Sequence, residues 1–230
     1  MLLSLFLVAS LNAGVHEDLA TAADGDLPTD LRRAAFDRVA ASGSVEPMMK
    51  VIRDPNTSPT ARWVAVRSLG LMKEMAARDA LVELLGSPTA VVRIAVLGAM
   101  ADRADRTLVG RVGGRLEDKA LLVRAAAAEA LGRLGDPASI ADLERALAAD
   151  DARQNGTSLW IRRTYVEAIA SIGGDDAARA LGRALADTDV AVVDAAVGGL
   201  ERIAGFDYRE GRSRPEQLEA WRRWAGSRGR

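Results

Sequence analysis

Apolar and polar positions along the chain follow a pattern that returns about every 31 residues. Six segments align on anchor positions 32, 62, 93, 124, 162 and 193, with successive spacings of 30, 31, 31, 38 and 31 residues. One residue before each anchor stand Leu31, Ala61, Val92, Val123, Ile161 and Val192. Three after it stand Ala35, Ala65, Val96, Ala127, Tyr165 and Ala196, and four after it Phe36, Val66, Leu97, Ala128, Val166 and Val197. Seven after it stand Val39, Leu69, Met100, Leu131, Ile169 and Leu200. Offsets of −1, +3, +4 and +7 lie on one face of a helix with 3.6 residues per turn. The +5 column (Asp37, Arg67, Gly98, Glu129, Glu167 and Gly198) is the predicted solvent face.

Each copy breaks at turn residues such as Ser42-Gly43-Ser44, Gly135-Asp136-Pro137 and Gly173-Gly174-Asp175. A second helix is predicted after each break, with Val51, Leu81, Val112, Leu143 and Leu181 nineteen after the anchors. Four and six residues before the anchors stand helix-starting side chains such as Ser58, Asp118, Asp187 and Asp189, whose oxygens can accept free first-turn N–H groups. No stretch shows a sustained strand alternation. The chain therefore reads as all-α, with about six helix pairs.

The fourth copy, Val123-Arg124-Ala125-Ala126-Ala127-Ala128-Glu129-Ala130-Leu131-Gly132, with its Gly-Asp-Pro turn and the following Ile140-Ala141-Asp142-Leu143, resembles the short HEAT repeats first associated with phycobilisome lyases. The resemblance runs from Leu27 to Ile203. It implies a right-handed α-solenoid of the armadillo-like kind, whose second helices line a concave face. Members of that family mostly bind other proteins.

That geometry selects candidate surfaces. Lys50, Arg53, Asp79, Glu83, Arg111, Asp142, Arg145, Arg179 and Arg183 flank the second-helix apolar column. They are the expected partner-binding face, with mixed charge leaning positive. The anchor arginines Arg32, Arg62, Arg93, Arg124 and Arg162 form the most regular polar column. Placed on the packed helix, they read as a structural ladder bonding to caps and carbonyls rather than as an anion stripe. The 38-residue spacing holds an insertion near residues 150–157, beside Trp160. Trp63 shares a column with Arg33 and Arg163, so part exposure is one reading. Filling gaps in an Ala-rich core is the other for both indoles.

Four segments are expected. Residues 1–13, MLLSLFLVASLNA, carry no charge and are too short to span a bilayer, which takes about 20 residues. They read as a signal peptide, although no Lys or Arg precedes the apolar run and Leu11 is large for a cleavage edge. The alternative is a short apolar helix on the first repeat. Residues 14–26, with Glu17, Asp18, Asp24 and Asp26, read as an acidic linker. Residues 27–204 are the repeats, and 205–230 a loop and capping helix. In that last helix Trp221 and Trp224 share a face. Similar Trp-x-x-Trp endings occur in bacterial HEAT-repeat proteins.

Composition narrows the chemistry. The 230 residues include no Cys and one His. Disulfides, thiolate nucleophiles and Cys-type zinc sites are thereby removed. No Ser/His/Asp set or P-loop appears, and Gly110-Arg111-Val112-Gly113-Gly114 lacks the context of a dinucleotide site. Lys+Arg total 31 against Asp+Glu 32, and the net charge of −1 disfavours nucleic acid as a partner. Among enzymes with similar repeats, deoxyhypusine hydroxylases hold two irons on paired His-Glu motifs, whereas the single His16 here lies in the expected linker. Bilin lyases fit the repeat resemblance, but an exported chain would not meet their substrate. HEAT-like alkylpurine DNA glycosylases meet the charge objection. The expectation is an exported, periplasmic or secreted, non-catalytic scaffold with no cofactor, binding another protein.

Mass spectrometry of the chain purified from its host should find a new N-terminus near Gly14. An intact Met1 in a cytoplasmic fraction would contradict export.

Overall fold

A computed structural model describes residues 14–149, 153–154 and 157–228. The segment read as a signal peptide, Met1–Ala13, lies outside them. Residues 14–23, expected as part of an acidic linker, are instead helical (α1), with Val15, Leu19 and Ala22 buried. Those three positions recur at helical spacing, and Asp18 on the same helix accepts two bonds from Arg38, at 3.0 and 2.6 Å. Of the acidic residues that suggested a linker, Glu17 and Asp18 stand on this amphipathic helix, and Asp24 and Asp26 lie in the turn after it.

The chain divides into two compact units, one up to Arg103 and one from Ala104. The division falls inside the 27–204 stretch, after the first helix of the third copy. In the first unit α1 is followed by α2 (Thr29–Ala41), α3 (Val45–Arg53), α4 (Pro59–Leu71), α5 (Met75–Leu84) and α6 (Ala90–Arg103). The first helices pack side by side, α4 against α2 and α6, and the second helices α3 and α5 pack against α4.

The second unit holds α7 (Val109–Gly113), α8 (Leu121–Leu134), α9 (Ile140–Ala148), α10 (Ile161–Ile172), α11 (Gly174–Ala184), α12 (Val190–Ala204) and α13 (Arg214–Gly226). Here α10 packs between α8 and α12 and also meets α9 and α11. Within the insertion, Arg153–Gln154 and Thr157–Ser158 form a two-residue antiparallel ladder, pairing Arg153 with Ser158 and Gln154 with Thr157. Asp150, Asp151, Ala152, Asn155 and Gly156 lie outside the described residues. The architecture is all-α, built from stacked helix pairs.

The apolar columns are the core. Every residue of the +3 and +7 columns, from Ala35 and Val39 to Ala196 and Leu200, is buried. The first copy departs from the pattern: Leu31 is 51 % exposed, Phe36 half-buried, and in α3 Met48 and Ile52 are buried where Val51 is only half so. Small residues let first helices approach backbone to backbone. A Cβ at Gly70 would lie 2.9 Å from the Ala99 Cα, and one at Gly132 would lie 3.1 Å from the Ala168 Cα.

Loop chemistry repeats as well. Asp118 Oδ1 accepts the Ala120 N–H, Asp187 Oδ1 the Asp189 N–H and Ser87 Oγ the Thr89 N–H, each two residues on. These turns lead the chain into the next first helix. Gly135 ends α8 in the left-handed region at φ 64°, the glycine stop of a helix. The equivalent place after α6 holds Ala104 at φ 53°, a conformation that costs a side chain roughly 1–2 kcal/mol.

Leu131→Ala, in the buried +7 column, should cost about 2–5 kcal/mol on chemical denaturation. Glu129→Ala on the exposed face of the same helix should cost under about 0.5 kcal/mol. Equal costs would contradict this register.

Candidate functional site

The nine candidate residues of the second-helix face all stand on second helices: Lys50 and Arg53 on α3, Asp79 and Glu83 on α5, Arg111 on α7, Asp142 and Arg145 on α9, Arg179 and Arg183 on α11. Asp142 and Arg179 are half-buried and the other seven exposed. Many are already paired with one another or with a neighbour. Arg53 donates to Glu83 at 2.5 Å, from one second helix to the next. Asp142 and Arg145 pair at 2.9 Å one turn apart. Arg183 makes a two-pronged contact with Glu144 at 2.8 and 2.9 Å. That bond raises the Arg183 pKa further above its ordinary range. Arg179 pairs with Asp176 and donates to the Arg228 carbonyl at 3.0 Å.

Glu144 and Asp176 were missed in the sequence. Asp176 stands three before Arg179, a pairing that helical spacing could have revealed. Glu144 pairs across 39 residues, which spacing within one helix does not reach. Together they lower the net charge of the set from +3 to +1, so the positive lean is weaker than expected. Lys50 and Arg111 have no ion pair among the described residues.

On this face of the second unit lies a groove of about 250 Å³. Leu116, Ala146 and Ala149 give it apolar walls, Tyr165 closes it, and Glu117, Asp142 and Arg145 supply charge of both signs. The Tyr165 ring is buried, placed there by the +3 column of α10.

The anchor arginines reach loop carbonyls and caps. Arg62 donates to the Asp54 and Thr57 carbonyls at 2.9 and 3.2 Å, and Arg93 to those of Ser87 and Pro88 at 2.7 and 3.2 Å. Buried Arg162 donates to the Leu147 carbonyl at 3.2 Å and grips both carboxylate oxygens of Asp187 at 3.1 and 2.5 Å. Arg32 donates to Thr29 Oγ1 at 3.3 Å, and Arg124 is buried. A planar fork suits this task because it satisfies several carbonyls from one side chain.

The tryptophans divide. Trp63 and Trp160 are 49 % and 52 % exposed, so neither fills a gap in the Ala-rich core. Trp221 is fully buried on α13, which packs against α11 and α12. Its ring stacks on Phe206 at 5.6 Å and meets Tyr208 and Trp224 edge-on at 4.7 and 5.4 Å. Ser213 opens the helix by donating its N–H and hydroxyl to Glu216, which lowers the Glu216 pKa. Two C-terminal arginines are engaged: Arg222 donates to the Leu185 carbonyl at 2.9 Å, and Arg228 lies 4.0 Å from the Trp224 ring and 3.6 Å from Asp175. Arg230 lies outside the described residues.

Among the described residues no group of three or more His, Cys, Asp or Glu side chains gathers to hold a metal ion, and no helix is long and apolar enough to cross a membrane.

No curated protein matches the chain in sequence. Residues 79–157 match the family model for HEAT repeats. Among solved structures, an engineered protein aligns with a TM-score of 0.52 at 19 % identity, covering 84 % of this chain and 90 % of that one. Human deoxyhypusine hydroxylase, in complex with glycerol, aligns with a TM-score of 0.43 at 13 % identity, covering 86 % and 98 %. The complex of CpcE and CpcF of phycocyanin lyase from Nostoc sp. aligns with a TM-score of 0.40 at 21 % identity, covering 92 % and 82 %. Residues 79–157 are thus matched as HEAT repeats, and further helix pairs stand on both sides of them.

Proposed function

We propose that the chain is a non-catalytic scaffold that binds another protein through its second-helix face. The observation that carries this reading is the groove between α7 and α9. Apolar walls with carboxylates and a guanidinium at the rim match the make-up of a protein-binding patch, an apolar centre inside a charged margin.

The ion pairs on this face suit exchange of partners. Surface pairs such as Asp142–Arg145 and Arg183–Glu144 contribute only about 0–1 kcal/mol each. Re-pairing them with charges on an incoming protein therefore costs little. Repeat proteins use extended surfaces of this kind because each helix pair adds a further strip. Residues 1–13 add export to the proposal, placing the encounter in the periplasm or outside the cell. Catalysis is left out because one His and no Cys leave few groups for it.

The double variant Arg145→Glu, Arg183→Glu tests the reading. Both side chains are exposed, so its stability should stay within about 1 kcal/mol of the parent chain. Tagged parent chain should retain a specific protein from its host, and the variant should lose it. Equal retention by both would contradict the proposed face.

A further inference from the structure

A second surface lies on the first helices of the first unit, away from the second-helix face. Between α4 and α6 runs a groove of about 130 Å³ walled by Trp63, Val66, Val91 and Ala95, with Arg62 and Thr89 as its polar members. Apolar cavities of about 150 Å³ accept a molecule the size of benzene, so this one has room for a single aliphatic side chain. Its two outermost walls are in water: Trp63 is 49 % and Val91 56 % exposed. The indole is supported on one side by Arg67, whose guanidinium carbon lies 5.6 Å from the ring centroid and which pairs with Asp102.

Charge selects the occupant. Arg62 is the only ionisable side chain lining the groove, and no carboxylate lines it. The Arg62 guanidinium is held in place by the neutral Asp54 and Thr57 carbonyls. It has no ion pair among the described residues. A fixed cation beside an apolar slot that no carboxylate lines matches an apolar group that carries a negative charge next to it.

We infer that this groove docks an acidic segment of a partner protein, inserting one aliphatic side chain between Trp63 and Val91 while the adjoining carboxylate meets Arg62. The site is separate from the second-helix face and does not depend on the function proposed above.

The minimal probe is N-acetyl-leucine, which joins the aliphatic group to a carboxylate. N-acetyl-leucine amide keeps the shape without the charge. Titrated into the full chain and followed by the amide resonances of Thr89 and Val92 and the Trp63 indole N–H, the acid should bind with a Kd on the order of 1–10 mM, as its size allows. The amide should bind about three- to fivefold more weakly. Val91→Glu, which sets a carboxylate beside Arg62, and Trp63→Ala should each abolish the shifts at Thr89 and Val92 while leaving the spectrum of the folded chain intact. Arg145→Glu, Arg183→Glu should bind the acid as the parent does, which separates this inference from the scaffold surface. Equal binding of acid and amide would overturn the acidic assignment. Absence of binding by either would overturn the site. Loss of the same resonances on raising protein concentration alone would instead assign the groove to a second copy of this chain.

Discussion

The fold depends on how closely neighbouring first helices approach. Ala99 lies where a Cβ on Gly70 would be, Ala168 where one on Gly132 would crowd, and Ala170 stands 2.7 Å from the place of a Cβ on Gly199. Helices this close bury backbone and short side chains together, so a core with few aromatic residues still fills its volume. Each Ala or Val removes little apolar surface by itself, at about 25 cal/mol per Å². Stability has to accumulate over many such contacts, and the repeated columns supply them. A substitution that pushes two first helices apart therefore weakens every contact along that pair.

Close packing of first helices leaves the connecting loops to be held by other means. Arg62 and Arg93 do this by gripping carbonyls of the loop that enters their own helix, and Arg162 grips the Leu147 carbonyl in the last turn of α9 and Asp187 ahead of the next copy. The same arrangement determines which surfaces are free. Second helices carry exposed ion pairs of low individual strength, and the N-terminal ends of first helices show Trp63, Val91, Leu122 and Trp160 to water. Arg62 joins the two roles, since the guanidinium that fixes the loop at Asp54–Thr57 also lines the apolar groove.

Most of the helix pairing was legible in the sequence because it is periodic: six copies average out local exceptions, and the +3 and +7 columns are buried throughout. What was not legible is local or long-range. Residues 14–23 carry carboxylates at a linker's density, and only the spacing of Val15, Leu19 and Ala22 betrays a helix. Leu31 departs from its column, 51 % exposed in the first copy. Of the candidate site, the residues stand on second helices as their spacing implied, but the partner of Arg183 was out of reach because Glu144 comes from another helix pair. The tryptophans at 63 and 160 show the limit of composition as a guide: an Ala-rich core invites a large side chain, yet both indoles stand about half exposed near the N-terminal ends of first helices, while Tyr165 and Trp221 are the buried rings.

Two adjacent glycines of α12 test the close-approach account most directly. Gly199 faces Ala170 and Leu181, whereas a Cβ on Gly198 would meet nothing within 4 Å. Both are helical, so an alanine at either gains the same propensity, roughly 1 kcal/mol. Thermal or urea unfolding should show Gly198→Ala unchanged or more stable, and Gly199→Ala less stable by about 1–3 kcal/mol through overpacking. Two variants of equal or higher stability than the parent would contradict the claim that backbone proximity of the first helices sets this fold.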